Sequence, residues 1–444
     1  MTSKVRREET IAVARTSLIA VGGLLAYQLI FNIAAACLGW PRPFANFLCC
    51  QGDYFADYFK FVLSYPGGSA VELPDWWIVR EQIAPYLIDN PYRGAQGLGG
   101  PYITHLHVPP LSTLYSLANL WAMRWVDPLL LFCIQLIGIL CYWWHIVHGA
   151  VAVRRAALLW FIFGLISYPA LMMVARGNLF AAFAGLAIIH ALALALQGRG
   201  RVAGALLLAV AINIRPNAAI FALIFLLLHW PRRNQAMLVG ATATMGLFTV
   251  CMFLSGWIYP DYDLPHFFGG LQNYYQRYVV EGGGVAYGSS LSGALAFLFS
   301  HRPGLDRLAL LLSVAPFLIV LAEHVRHRVD PAILLFASCA TYALASTVFA
   351  DYHLLPFLLV PIAITLAPAN DGAMLPRREF DRTVALVASL LVLSPKNYLF
   401  DGVLSWQVML NPAILLTAML LLCGSALFQF RVGRHAMEKG PGVV

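Results

Sequence analysis

The chain is built from long apolar runs separated by short loops that hold most of its basic residues. A helix that spans a bilayer needs about 17 to 25 apolar residues, and several runs reach that length. In lipid, backbone N–H and C=O groups must be paired within the segment, so these runs are restricted to helices. The full-length runs fall near 11–39, 128–148, 156–174, 178–197, 235–256, 304–324, 331–349 and 411–430, and the shorter ones near 201–215, 217–230, 353–368 and 382–394. The sequence therefore predicts an all-α polytopic membrane protein.

The amount of charge excludes the soluble classes. Hydrophobic residues make up 60% of the chain and charged residues only 11%, whereas a soluble domain carries roughly 25% charged residues. A soluble enzyme or a nucleic-acid module does not fit this composition. The formal net charge of +8 does not indicate a nucleic-acid partner, because the basic residues lie in short loops between apolar runs.

The basic loops predict the topology, because Lys and Arg flanking a span stay in the cytoplasm. About twelve crossings place all of these loops, and both termini, on the cytoplasmic side of the cell (inner) membrane. This count requires residues 105–123, which contain Pro109 and Pro110, to form a re-entrant or interfacial segment rather than a crossing. The loops in question carry Arg154/Arg155, Arg199/Arg201, Arg232/Arg233, Arg326/Arg328, Arg377/Arg378/Arg382 and Arg431/Arg434/Lys439.

Two long loops then lie on the outer face, at about 40–105 and 257–303. Loops of this length are usually functional or disordered, and both are rich in Trp and Tyr. No appended soluble domain is evident, so residues 1–444 are predicted to form a single transmembrane domain. The activity is expected to lie on the outer face.

The first candidate group is Asp53 and Asp57, which follow the first apolar run. In a helix, two carboxylates four residues apart share one face. Close, partly buried carboxylates raise the pKa of one of them, which suits a general base. The alternative is a pair of solvated loop acids or helix caps.

A second group contains Tyr92 in an Asn-Pro-Tyr-Arg turn, followed by His105 and His107. Two His residues separated by one position could be a metal pair. No third ligand has a matching spacing, so no metal is predicted. The prolines beside this group could serve only to shape the loop.

The third group comprises two turns between apolar runs, Arg176-Gly177-Asn178 and Asn213-Ile214-Arg215-Pro216-Asn217. Arg215 is enclosed by apolar segments, so its guanidinium needs an anionic partner near the headgroup level. The planar guanidinium fork suits a phosphate. The alternative is a structural pair with a carboxylate on a neighbouring helix.

The fourth group is Asp351-Tyr352-His353, between two apolar runs at the outer surface, where His353 could equally be a packing residue. A glycine-rich stretch at 282–291 lacks a Walker Lys and is more typical of a flexible loop than of a nucleotide site. An acid, one or two Arg and a His next to lipid match a lipid-phosphate substrate.

The same residues resemble the motifs of GT-C glycosyltransferases, most closely glycosyltransferase family 87, the polyprenyl-phosphate-mannose-dependent α-mannosyltransferases. The resemblance covers most of the chain, although Val108, Gly288 and Arg215 depart from the family pattern. The motifs that carry it are Asp57-Tyr58-Phe59-Lys60-Phe61, Asn90-Pro91-Tyr92, Val108-Pro109-Pro110-Leu111, Arg176-Gly177-Asn178, Arg215-Pro216, Ser289-Ser290-Leu291 and Tyr352-His353.

The resemblance implies a monomeric GT-C fold and an inverting transferase that needs no cofactor. Such an enzyme moves a sugar from a polyprenyl-phosphate donor to a glycolipid or glycan acceptor on the outer face. Asp57 is then expected as the catalytic base with Asp53 beside it, and the donor phosphate is expected at Arg215, Arg176 and His353. The expected substrate-binding residues are Asn178, Asn213, Tyr92, His105, His107 and Ser290.

The alternative is a transporter or flippase of lipid-linked sugars, with Asp57 and Arg215 lining a path. Transporter folds usually show related halves with paired broken helices. No such symmetry is evident in the sequence, which favours the enzyme.

Overall fold

The computed structural model describes six positions of the first apolar run, eleven longer stretches of the chain and the single residue Arg302. Every regular element within these residues is a helix. The six positions, Gly22, Gly23, Ala26, Ile30, Ile33 and Cys37, are all helical. The longer stretches are 109–122, 125–151, 154–229, 233–258, 263–276, 289–300, 304–327, 330–346, 351–366, 375–394 and 406–438.

The α-helices of the longer stretches are numbered in chain order, and three short 3₁₀ segments connect some of them. The α-helices are α1 (Pro110–Ala122), α2 (Pro128–Ala150), α3 (Arg154–Ile166), α4 (Tyr168–Arg176), α5 (Leu179–Leu196), α6 (Arg201–Ile214), α7 (Ala219–Leu228), α8 (Arg233–Ile258), α9 (Leu264–Tyr274), α10 (Leu291–Phe299), α11 (Leu305–His327), α12 (Pro331–Ala345), α13 (Leu359–Leu366), α14 (Leu375–Leu393) and α15 (Leu410–Glu438). The 3₁₀ segments are Pro216–Ala218, Asp351–Leu358 and Trp406–Met409.

Five of the described helices are long and apolar enough to cross a membrane. A sixth span results if α3 and α4, which meet at a bend of 54°, act as one broken span. The described part of the chain is therefore α-helical, and its long helices have the length and apolar composition of membrane-spanning helices. The predicted number of about twelve crossings stays a prediction, because four further apolar helices are shorter. The five long spans are Leu129–Ala150, Leu179–Leu196, Arg233–Trp257, Leu305–Arg326 and Leu410–Leu427.

Two of the described helices, α2 and α12, begin at a capping Asp that is followed by Pro. The Asp127 carboxylate accepts from the backbone N–H groups of Leu129 and Leu130, 2.9 and 3.2 Å away. Asp330 accepts from the N–H of Ala332 at 2.9 Å and starts α12 in the same way. Because Pro at the first helical position needs no hydrogen-bond partner and has a preset φ, this order fixes the helix start.

The core lies around α5 and α12. Of the membrane-length window of α5, 72% is buried inside the protein, against 11% of that of α8. A helix that is apolar all round is buried, or faces lipid where no helix covers it. In α12, every residue from Ala332 to Leu344 is buried. The helices α5 and α12 therefore form the centre, and α8 lies at the periphery.

Helix α1 falls within the segment predicted to be re-entrant or interfacial. It has 13 residues, a length of about 20 Å, which is shorter than a hydrocarbon core of about 30 Å. The hydroxyl of Tyr115 donates to the Gln135 side chain of α2 at 2.6 Å. The Gln135 amide in turn donates to Asn119. These bonds attach α1 to α2, and its placement in a membrane stays a prediction.

The bundle has two polar ends, separated by the length of α12. Asp330 begins this helix and Ser346 follows its last residue, so the ends are about 22 Å apart. One end, here called the Asp330 end, contains the ion pair between Arg382 and Asp330. The other, the Asp351 end, contains Asp351 with the residues bonded to it. The Asn217 amide donates to the Ser346 hydroxyl at 3.0 Å, which places Arg215, the C-cap of α6, at the Asp351 end.

Candidate functional site

A fully buried carboxylate, that of Asp351, is the centre of the polar contacts at the Asp351 end. Its Oδ1 accepts from the backbone N–H of Ser289 at 3.0 Å. Its Oδ2 accepts from the Ser289 hydroxyl at 2.8 Å, the Tyr168 hydroxyl at 2.9 Å and the Asn411 amide at 3.1 Å. A carboxylate removed from water needs such donors, because an unbonded buried charge is very costly.

These bonds join four segments that are far apart in sequence. Tyr168 starts α4, Ser289 precedes α10, Asp351 starts its 3₁₀ segment and Asn411 lies in the first turn of α15. Asn411 also donates to the Ser289 hydroxyl at 3.0 Å. Its carbonyl oxygen Oδ1 is buried and has no hydrogen-bond partner within the described stretches. Asp351 thus sets the relative position of the helix ends that surround it.

Arg215 lies at the same end and is half-buried. As the C-cap of α6 it has extended backbone angles, φ −141° and ψ 97°, which suit a residue that precedes Pro. Its charge acts on the buried His353 and on Tyr342. Arg215 forms no ion pair with any residue that the structure describes. The predicted alternative, a structural pair with a carboxylate, is not found in that part of the chain.

The Arg176-Gly177-Asn178 turn joins α4 to α5. Gly177 has φ 72°, a left-handed conformation that glycine adopts without steric cost. The Asn178 side chain caps α5 by accepting from the N–H of Ala181 at 3.0 Å. Both α4 and α5 pack against the 3₁₀ segment that contains Asp351 and His353. The turn places a half-buried Arg176 at the end where Arg215 lies.

Two further predicted substrate residues make structural contacts. The Asn213 amide donates to the carbonyl oxygens of Ala209 and Thr244, at 2.9 and 3.1 Å, and so links α6 to α8. The Ser290 hydroxyl caps α10 by accepting from the N–H of Gly293 at 3.0 Å. Contact of these side chains with a substrate stays a prediction.

The other predicted site residues lie outside the described residues. No group of three or more His, Cys, Asp or Glu side chains that could hold a metal ion occurs in the stretches that the structure describes. The residues outside are Asp53, Asp57, Tyr92, His105 and His107.

The sequence does not predict the central role of Asp351. Asp351 enters the sequence prediction only as part of the group that contains His353, and Tyr168 and Asn411 have no predicted role. Tyr168 and Asn411 do share a local pattern, because each is a polar residue directly before a Pro and next to an apolar run. The pairing itself spans 183 and 60 residues, and no local pattern predicts it.

No family model, curated protein or solved structure matches this chain. The resemblance to glycosyltransferase family 87 therefore rests on the motifs alone.

Proposed function

We propose that the chain is an inverting glycosyltransferase of GT-C type that uses a polyprenyl-phosphate sugar. The sugar, mannose or another hexose or pentose, passes to a glycolipid or glycan acceptor on the outer face of the membrane. The Asp351 end of the bundle faces outward in this proposal. Arg215, His353 and Arg176 hold the donor phosphate.

The observation that carries the proposal is the environment of Arg215. The charge of its guanidinium acts on the buried imidazole of His353, and Arg215 has no carboxylate counterion within the described part of the chain. Such a fixed cation suits an anionic group, and a guanidinium binds phosphate with a planar fork. As the glycosidic bond breaks, negative charge grows on the leaving phosphate, so a preorganised cation lowers the barrier.

The transfer step also requires a base, and the motif resemblance assigns it to Asp57. The acceptor hydroxyl attacks the anomeric carbon from the face opposite the phosphate and loses its proton to the carboxylate. The bond between the anomeric carbon and the phosphate oxygen breaks, and polyprenyl phosphate leaves with the electron pair. Asp53 lies one helical turn away in sequence and supports Asp57.

The experiment supplies the purified protein with polyprenyl-phosphate sugars of several kinds and a set of candidate glycolipid acceptors. Release of polyprenyl phosphate together with a new glycosidic product is the expected result. If the protein instead moves a labelled lipid-linked sugar across the membrane of reconstituted vesicles and forms no glycosidic product, it is a transporter.

Variants of the two acids identify the base. Asp57→Asn keeps the shape of the side chain but cannot take a proton, so turnover should collapse while donor binding persists. Asp53→Asn is the matched control and should keep most of the turnover. The reverse result would make Asp53 the base.

A further inference from the structure

A group of polar aromatic side chains lies between α2 and α5, away from the Asp351 end. The Tyr142 hydroxyl and the Nδ1 of His190 are 3.0 Å apart and share a hydrogen bond. The ring of His145 meets that of His190 edge-on, with centroids 5.6 Å apart. Two imidazoles and a phenol therefore form one cluster, here called the His145 cluster.

This cluster lies inside two membrane-length helices, near their ends. His145 stands five residues before the last residue of Leu129–Ala150, and His190 six before that of Leu179–Leu196. At 1.5 Å per residue both are about 8 Å from the helix end. Ionisable side chains inside a span normally face the protein interior or water. His145 is instead exposed on the surface of the bundle.

The surface that leads to His145 is apolar. Leu130, Ile134 and Ile137 are 55%, 53% and 58% exposed, and their spacing places them on the face of α2 that ends at His145. An acyl chain fits this stripe, because a lipid-facing helix surface is apolar. The apolar stripe leads to hydrogen-bonding groups, as the acyl chain of a phospholipid leads to its polar headgroup.

The charge beyond the cluster is positive. No Asp or Glu occurs between residues 128 and 260. Arg154 and Arg155 begin α3 shortly after the end of α2, and Arg199 follows α5; all three are exposed. The Gln197 amide donates to the carbonyl oxygen of Gly149 at 3.3 Å and ties the two helix ends together. An anion that binds beside the cluster is therefore attracted by these arginines and is not repelled by any carboxylate of residues 128–260.

We propose that the His145 cluster, with Arg199 and the Arg154–Arg155 pair, is a binding site for an anionic phospholipid. The headgroup phosphate contacts the arginines, and the ester and glycerol oxygens accept hydrogen bonds from the imidazoles. One acyl chain lies along the stripe of Leu130, Ile134 and Ile137. The site is independent of the proposed glycosyl transfer, since it lies near the Asp330 end.

The test titrates the purified full-length chain, in micelles of a neutral detergent, with dioleoylphosphatidylglycerol or dioleoylphosphatidylcholine. Native mass spectrometry counts the lipids retained. We expect one phosphatidylglycerol to bind at least ~10-fold more tightly than phosphatidylcholine, because a charge-assisted hydrogen bond is worth about this factor. His145→Leu and Arg199→Gln should each lower this affinity by ~10-fold or more.

Two matched controls separate the site from general surface charge. Arg307→Gln removes an exposed Arg in the first turn of α11. Arg302→Gln removes an exposed Arg next to α11. Both should stay within ~2-fold of the unchanged protein, given the small effect of remote surface charge. Equal binding of the two lipids, or equal losses in the controls, would overturn the proposal.

Discussion

The two ends of the bundle use their charged residues in opposite ways. At the Asp330 end, the Arg382 guanidinium donates directly to Asp330, and the same carboxylate caps α12. At the Asp351 end, the buried carboxylate takes four hydrogen bonds from neutral donors of Ser289, Tyr168 and Asn411. Arg215 at that end forms no ion pair in the described part of the chain.

The comparison distinguishes charged residues that hold helices together from charged residues that remain available to bind a ligand. Two opposite charges that meet directly neutralise each other and fix the helices that carry them. A carboxylate bonded by neutral donors holds helices together without using a cation, so the cation remains open to an anionic ligand. Glu323 departs from this pattern, since it is buried in α11 and its carboxylate oxygens have no hydrogen-bond partner in the described stretches.

The largest stability effect is expected for Asp351→Ala. This change leaves the hydroxyls of Tyr168 and Ser289 and the amide of Asn411 buried without their acceptor. An unsatisfied buried donor costs about 1 to 3 kcal/mol, so we expect the free energy of unfolding to fall by about 4 kcal/mol. Asp351→Asn should lose about half as much, because one acceptor oxygen remains. Unfolding in mixed micelles with a rising fraction of dodecyl sulfate measures both, and unchanged stability would remove Asp351 from the centre of this end.

The next effect concerns activity. Arg215→Ala should lower turnover by ~100-fold or more, the scale seen when one charge-stabilising donor is removed. Arg215→Lys should recover only part of it, because the planar fork is lost. The unfolding free energy should change by less than about 1 kcal/mol, since Arg215 forms no ion pair with the residues that the structure describes. Full turnover in Arg215→Ala would show that its charge has no catalytic use.

Arg382→Ala tests the structural end. It leaves the Asp330 side chain, which is 0% exposed, without its cation, while the Arg382 side chain is 16% exposed. Breaking a buried pair costs about 3 to 5 kcal/mol, and the partial exposure reduces this to about 2 kcal/mol. Turnover per folded molecule, measured with the transfer assay, should stay within about two-fold. A loss of turnover as large as that of Arg215→Ala would erase the difference between the ends.

The smallest effect is expected for Glu323→Gln. The side chain keeps its shape and gives up a charge that no described residue compensates. We expect stability equal to that of the unchanged protein or up to about 1 kcal/mol higher, because an unpaired buried charge is unfavourable. Unfolding in mixed micelles with a rising fraction of dodecyl sulfate measures the stability of this variant. A clear loss of stability would mean that the charge of Glu323 is paired after all.

Much of the fold could be predicted from the sequence, because lipid restricts apolar runs to helices. The sequence predicts turns at Arg176 and Arg215 between apolar runs, and both turns join helix ends in the structure. Periodicity and composition could not give the partners of Asp351, since the bonds to Tyr168 and Asn411 depend on how distant helices pack.

Capping gives two of the predicted substrate residues a structural role. Asn178 and Ser290 are N-caps in the structure, and their contact with a substrate stays a prediction. An Asn or Ser directly before an apolar helix is the ordinary N-cap signal. The N-cap role of these two residues therefore follows from the sequence without any ligand.

Binding of the leaving group tests the central claim most directly. The purified protein and its Arg215→Gln and Arg382→Gln variants are titrated with polyprenyl phosphate in micelles, and the dissociation constants are compared. Because Arg215 forms no ion pair among the described residues, we expect a loss of ~10-fold or more for Arg215→Gln and less than ~2-fold for Arg382→Gln. Equal affinities in all three proteins, or equal losses in both variants, would contradict the assignment of the donor phosphate to this end.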